Sequence, residues 1–359
     1  MATTYKTFLN NDITSTRTLL HEAIPITGTM VSGTYSELST TTSNIKSYGH
    51  GMFQSVYDYP YLSSSANHIF DLTCGYANNS PLSKSSGNSA DQGKKINIYN
   101  QMAQILVGHD LTGNIRQFDR DGNLATQDDK MKEVFFVNFA RLLNKDEIKK
   151  GSFTIQFLTG GLLTDRTNMM TISDYNAANE FRINSPAGEF GILYTSSATP
   201  NANSGVGHLY YQAGIAVLTA SIFGRKGTAP SIPGGFGVRG ASYDTASVEA
   251  VFSGSDIGKF CDGVRTRLYN ISYNNTTELN STIYFCRANH NDFNYSTNPT
   301  YLENSKIRVK TNTFDMPVSY VTTVGLYSAD NELLAVAKLS EPIKKQPDTE
   351  LTLRVRLDY

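Results

Sequence analysis

Gly235, Gly237 and Gly240, in the stretch GGFGVRG, have the spacing with which a strand-to-helix turn cradles a pyrophosphate. That chemistry needs a strand before the glycines, a helix after them and an acidic residue about 20 positions on. Pro230 and Pro233 stand where the strand should be, so the stretch reads as a loop. Asp119, Asp121 and Asn123 alternate as they do at the start of a calcium loop. Leu124 replaces the glycine that the loop's sharp turn requires, and Lys130 stands where a bidentate glutamate should close the site. An Asp-Gly turn is the expectation there. His21, His50, His68, His109, His208 and His290 never fall at metal-ligand spacings, and no G-x-S-x-G elbow, Walker loop or H-E-x-x-H occurs. No catalytic residue, metal site or cofactor is therefore expected, although paired carboxylates of the glycosidase kind leave no local signature.

Aromatic residues are the remaining candidates. SVYDYPYL (55–62) holds Tyr57, Tyr59 and Tyr61, and NHNDFNYSTNPTY (289–301) holds Phe293, Tyr295 and Tyr301, each set among Asn and Asp. Such mixtures suit protein contact, because Tyr offers broad amphipathic area at low entropic cost. A glycan platform is the alternative. Composition favours contact: charged residues are 18%, Tyr numbers 21 and Trp is absent. A net charge of −1 gives no general attraction to nucleic acid or to an anionic membrane. Cys74, Cys261 and Cys286 are an odd set at wide spacing, expected as reduced thiols. The opening MATTYKTFLNND carries neither a basic nor an apolar leader region, so synthesis in a cytoplasm is expected and the N-x-S/T sequons read as incidental.

The elements that must position these residues are mostly strands. Helices are expected over 96–108, with Ile98, Met102, Ile105 and Leu106 on one side, over 256–269, and as a short turn at 144–151. Strands are expected at 133–143, 152–158, 207–223 with a bend at Gly214, 281–288 and 306–311. Loops are expected at 83–95, 196–207 and 224–241. Near the end, VTTVGLYSADNELLAVAKLSEP (321–342) reads as strand, polar turn, strand, and Leu351, Leu353, Val355, Leu357 and Tyr359 then alternate with polar residues. So regular a terminal strand implies that a sheet ties it down.

The expected fold is α+β and β-rich. It comprises an extended N-terminal arm (1–47), a central mixed domain with long loops (48–270) and an antiparallel β-module (271–359). The arm offers Leu19, Leu20 and Ile24 for docking, and the module offers Tyr320, Leu326 and Tyr327.

The ending PVSYVTTVGLYSADNELLAVAKLSEPIKK…LTLRVRLDY resembles a segment that recurs in appendage proteins of tailed bacteriophages. Joined to FCRANHNDFNYSTNPTYLENSKIRVK, it resembles a virion structural protein of contractile-tailed, T-even-like phages of marine cyanobacteria. NNDITSTRTLLHEAIPITGTMVSGTY and FVNFARLLNKDEIKKGSFTIQF resemble the same family. The resemblance implies a non-enzymatic part of the tail baseplate or neck, located in the virion tail and held by large permanent interfaces. It implies other virion subunits and copies of the chain itself as partners, with neither nucleic acid nor membrane. It brings no site residues. The alternative function is a receptor- or glycan-binding module on the tail exterior.

Overall fold

A computed structural model describes residues 5–25, 44–84, 90–124, 129–158, 169–195, 205–223, 252–253, 256–295, 302–303, 306–307, 312, 314 and 316–359. The loop at 224–241, with its three glycines, and Tyr301 lie outside these residues, as do most of the loop at 196–207 and most of the strand expected at 306–311. Among the described residues 46% are strand and 17% helix, so the protein is β-rich. Two compact units divide the chain, residues 20–277 and residues 1–19 with 278–359. Residues 1–19 of the expected arm and residues 278–359 of the expected β-module thus fall in one unit, and the rest of both falls in the other.

In chain order the elements are β1 (Ile13–Pro25), β2 (Ile45–Ser47), β3 (Gln54–Tyr57), β4 (His68–Tyr76), α1 (Ala90–Leu106), β5 (Glu133–Phe139), α2 (Arg141–Asn144), β6 (Glu147–Ile148) and β7 (Thr154–Leu158). There follow β8 (Met169–Ser173), β9 (Phe190–Tyr194), β10 (Gly205–Tyr210), β11 (Ile215–Thr219), α3 (Ile257–Arg267) and β12 (Leu268–Ala288). Last come β13 (Leu302–Glu303), β14 (Lys306–Ile307), β15 (Ser319–Tyr327), β16 (Leu333–Lys345) and β17 (Leu351–Asp358). The chain passes from one unit to the other within β1 and again within β12.

In the 20–277 unit the first residues of β12 pair with β7, and the sheet continues β8-β9-β10-β11-β5-β4-β3-β2. Its core is aromatic. Val134, Phe135, Phe136 and Val137 of β5 are all buried, as suits a central strand covered on both faces. Phe135 meets Phe260 of α3, with ring centroids 6.2 Å apart, and Phe136 meets Phe118, which stacks edge-on against Tyr99 of α1. Adjacent strand residues point to opposite faces, so the two helices cover opposite sides of the sheet. The neighbouring strand β4 repeats the division. The Cys261 thiol of α3 donates to the Leu72 carbonyl, while a Cβ on Gly75 would lie 2.6 Å from the Lys95 carbonyl oxygen of α1.

Several sequence expectations change here. Residues 90–95 belong to α1, not to a loop; Asp91 complements the positive end of the helix dipole in the first turn. Ile105 falls at the margin of the buried stripe formed by Lys95, Ile98, Tyr99, Ala103 and Leu106, and is 64% exposed. The helix expected over 144–151 is instead α2 at Arg141–Asn144 followed by β6. Lys145 takes a left-handed φ of 55°, and β6 then pairs with Asn275 and Thr276. The bend at Gly214 is a turn between β10 and β11, with φ +67°. The Asp-Gly turn forms at Gly122 with φ +71°, and Lys130 places its ammonium 2.6 Å from the buried Asp119 carboxylate. The residue that spoils a calcium loop thus supplies the positive charge itself. No helix among the described residues is long and apolar enough to cross a membrane.

Two outcomes follow from this core. Gly75→Ala forces α1 away from β4 and lowers unfolding free energy by about 1–3 kcal/mol, read from urea titrations. Burial pushes the fully enclosed His208 imidazole down to about 4, opposed by the Asp119 backbone and Asp121 and reinforced by Lys130 and Arg182. Keeping this ring neutral contributes stability above its ordinary 6.5 that is lost as pH falls toward 4, about 3 kcal/mol in all. His208→Gln therefore flattens the acid slope of stability relative to the parent across that window, measured by melting at a series of pH values.

Candidate functional site

The unit formed by residues 1–19 and 278–359 is built around the second part of β12. Ser281 to Ala288 pair antiparallel with Asp358 to Leu351 of β17, so the terminal strand is fastened along its whole length. The alternation in β17 is what the sequence pattern implies: Val355 is buried and Leu351, Leu353 and Leu357 are half-buried, while Thr352, Arg354, Arg356 and Asp358 are exposed. The N-terminal segment is tied to the same strand by side chains. Asp12 meets Arg287 at 2.6 Å, Ser15 meets Thr282 at 3.3 Å, and Arg17 pairs with Glu278. The Leu9 backbone N–H, with Arg287 beside it, holds the Asp12 carboxyl below the usual carboxylate range.

β15 and β16 form a separate two-stranded ribbon closed by the turn at 328–331, where Asn331 adopts φ 64°. Between the ribbon, the end of β12, β17 and residues 5–8 runs a groove of about 860 Å³. It is lined by Tyr5, Phe293, Tyr295, Tyr320, Leu326 and Tyr327, among others. Leu326 is buried beneath it, and the other five are between 41% and 52% exposed. Tyr5 and Tyr327 meet at 4.9 Å between ring centroids.

The loop that carries Phe293 and Tyr295 is braced from below by Lys345. This side chain is fully buried, and its ammonium donates to the His290 carbonyl at 3.1 Å, the Asn294 side-chain oxygen at 2.7 Å and the Gln346 carbonyl at 2.8 Å. All three of its protons are placed. Asn294 donates back to the His290 carbonyl, the Asp292 carboxylate accepts from the Asn289 N–H, and the Ser319 hydroxyl donates to the Phe293 carbonyl. Lys6 reaches the same Asp292 at 2.5 Å. These hydrogen bonds fix Phe293 at φ 53°, where bulky side chains are rarely found.

Five of the residues singled out from sequence therefore meet in one groove: Phe293, Tyr295, Tyr320, Leu326 and Tyr327. Tyr57, Tyr59 and Tyr61 belong to the 20–277 unit and gather instead near His68 and Lys46. Tyr57 lies 6.2 Å from Tyr61 and 5.5 Å from His68, Lys46 lies 5.8 Å from the Tyr61 ring, and Tyr59 is exposed. Leu19 and Leu20 are exposed on β1; the Ile24 side chain lies outside the described residues. Sequence reasoning missed Lys345, Asp12 and Arg287. Only Lys345 left a trace, since it shares strand parity with the inward-facing Ala335, Ala337, Leu339 and Ile343. The cysteines are free, Cys74 and Cys261 buried and Cys286 half-buried, and burial pushes the Cys74 thiol up to about 12. Among the described residues no group of three or more His, Cys, Asp or Glu is placed to hold a metal ion.

Comparison with known proteins returns no matching protein family, no similar curated protein and no similar solved structure.

Lys345→Met keeps the bulk and removes the three donors, leaving three oxygens unpaired. The expected loss is about 2–4 kcal/mol of stability, with faster amide hydrogen exchange concentrated in residues 289–295. Exchange that stays at the parent rate in that loop would show that the ammonium does not hold it.

Proposed function

We propose that this chain is a non-enzymatic structural protein of a tailed-phage virion, a component of the tail baseplate that assembles through large permanent protein interfaces. The observation that carries this reading is the ribbon β15–β16. Leu333, Leu334 and Val336, which lie outside the groove lining, are all 52% exposed or more on a ribbon whose two strands pair with each other. An isolated two-stranded ribbon is marginally stable in water, and open strand edges with apolar side chains invite pairing with another chain. A protein that keeps such a ribbon uses it where a neighbour covers it. Leu334 is the extra residue of a bulge, since Leu326 pairs with Ala335 and Tyr327 with Leu333, and the bulge turns this leucine outward.

Further support comes from a composition poor in charge and rich in Tyr, with Tyr59, Tyr175, Tyr295, Tyr320 and Tyr327 exposed, which suits obligate interfaces. The reading of a tail rests on the resemblance of both ends and the middle of the sequence to virion proteins of cyanobacterial phages. The partners are then other baseplate or neck subunits and further copies of this chain. Synthesis takes place in the host cytoplasm.

The test introduces charge at the ribbon. In a phage carrying Leu334→Asp with Val336→Asp, assembled particles are expected to lack the chain while the purified variant keeps its parent melting temperature. Mass spectrometry of purified particles reads the first, and calorimetry the second. Normal incorporation of this variant would remove the ribbon from the interface. Normal incorporation of a chain lacking residues 1–30 would likewise remove the N-terminal segment from the interface, and absence of the parent chain from purified particles would overturn the structural role itself.

A further inference from the structure

The groove beside the ribbon has features that mere coverage by a neighbour does not require. Its rings are held in place and presented to the groove: Phe293, Tyr295 and Tyr320 are about half exposed, and the Lys345 brace holds the loop carrying the first two. Phe293 occupies a left-handed backbone conformation that glycine would adopt at lower cost. A bulky residue kept there, with its ring presented to a groove, marks a position where the ring itself is needed.

The charges of the groove are already neutralised. Lys6 and Arg287 are the cations of its lining, and each is paired, with Asp292 at 2.5 Å and Asp12 at 2.6 Å. A phosphate-bearing ligand would have to break one of these pairs. The rest of the polar lining is neutral and includes Thr322, Thr323, Ser328 and Asn331, whose hydroxyls and amide both donate and accept. A wholly apolar occupant would leave them without partners when water is expelled.

A ligand matched to this lining is uncharged, presents flat C–H faces to the aromatic rings and carries hydroxyls around its edge. The volume of about 860 Å³ lies within the usual span of small-ligand sites. We propose that this groove binds a neutral oligosaccharide, with Phe293, Tyr295 and Tyr320 stacked on successive sugar rings. The site is separate in its logic from the assembly role above, and its test needs no particle.

The experiment is isothermal titration of the purified full-length chain with cellohexaose, chitohexaose and maltohexaose. A hyaluronan hexasaccharide serves as an acidic comparison, and a threonine–valine hexapeptide as a strand-like one. Saturable binding of a neutral sugar is expected, weakened about tenfold or more by Phe293→Ala and by Tyr320→Ala. Tyr59→Ala, on the other unit, leaves it unchanged. Phe293→Gly removes the ring at a φ that glycine tolerates, so loss of binding in this variant with unchanged melting separates recognition from folding. Absence of binding to every neutral sugar overturns the proposal. So does preference for the acidic sugar or the peptide, or sugar binding that survives both Phe293→Gly and Tyr320→Ala.

Discussion

The backbone of β12 sets the terms for much of this protein. A strand of 21 residues carries a long double row of amide and carbonyl groups, and each buried one must find a partner. The first part of β12 meets this demand through β7 and β6, and Asn275 also donates its side-chain amide to the Leu143 carbonyl at the end of α2. The last part meets it through β17, with side chains of residues 12–17 reaching Arg287, Thr282 and Glu278. The regular pattern of the final strand is thus a pairing requirement, and the N-terminal segment is held by the same strand.

Cations are handled in two contrasting ways. Lys130 is buried with a carboxylate, Asp119, whose attraction offsets only part of the burial that pushes the Asp119 carboxyl up to about 6. Lys345 is buried with three neutral oxygens, which replace the water around an ammonium without adding an opposite charge. The first arrangement closes a turn in one unit. The second fixes a loop in the other, and with it the rings that border the groove.

How far the sequence reveals this structure depends on how local each cause is. Alternation in Leu351–Leu357 and the Ser328–Asn331 turn are local and readable, while Gly214 marks its break in the sequence but not that the break is a full turn between two strands. Residues 144–151 were misread because Glu147 and Ile148 become a strand only through Asn275 and Thr276, far along the chain. The start of α1 was obscured by Ser and Gly, while its tertiary anchor, the approach to Gly75 of β4, leaves no mark in residues 90–95. Among the groove residues the aromatic types were visible, yet their convergence was not, since Tyr5, Phe293 and Tyr320 meet only through long-range pairing. Tyr57, Tyr59 and Tyr61 carry the same aromatic signature and sit in the other unit, so composition alone could not sort them.

The grouping of residues 1–19 with 278–359 has a consequence for how the protein is made. On a translating ribosome the leading segment emerges first, and its complement follows only after residues 20–277 have been synthesised, a delay on the order of tens of seconds. Throughout that interval Leu19 and the neighbouring strand positions have nothing of their own unit to bind. The intervening unit has all its residues available while the other still waits. Nascent chains of this kind depend on low concentration or on a chaperone to keep the waiting segment from pairing with the wrong molecule.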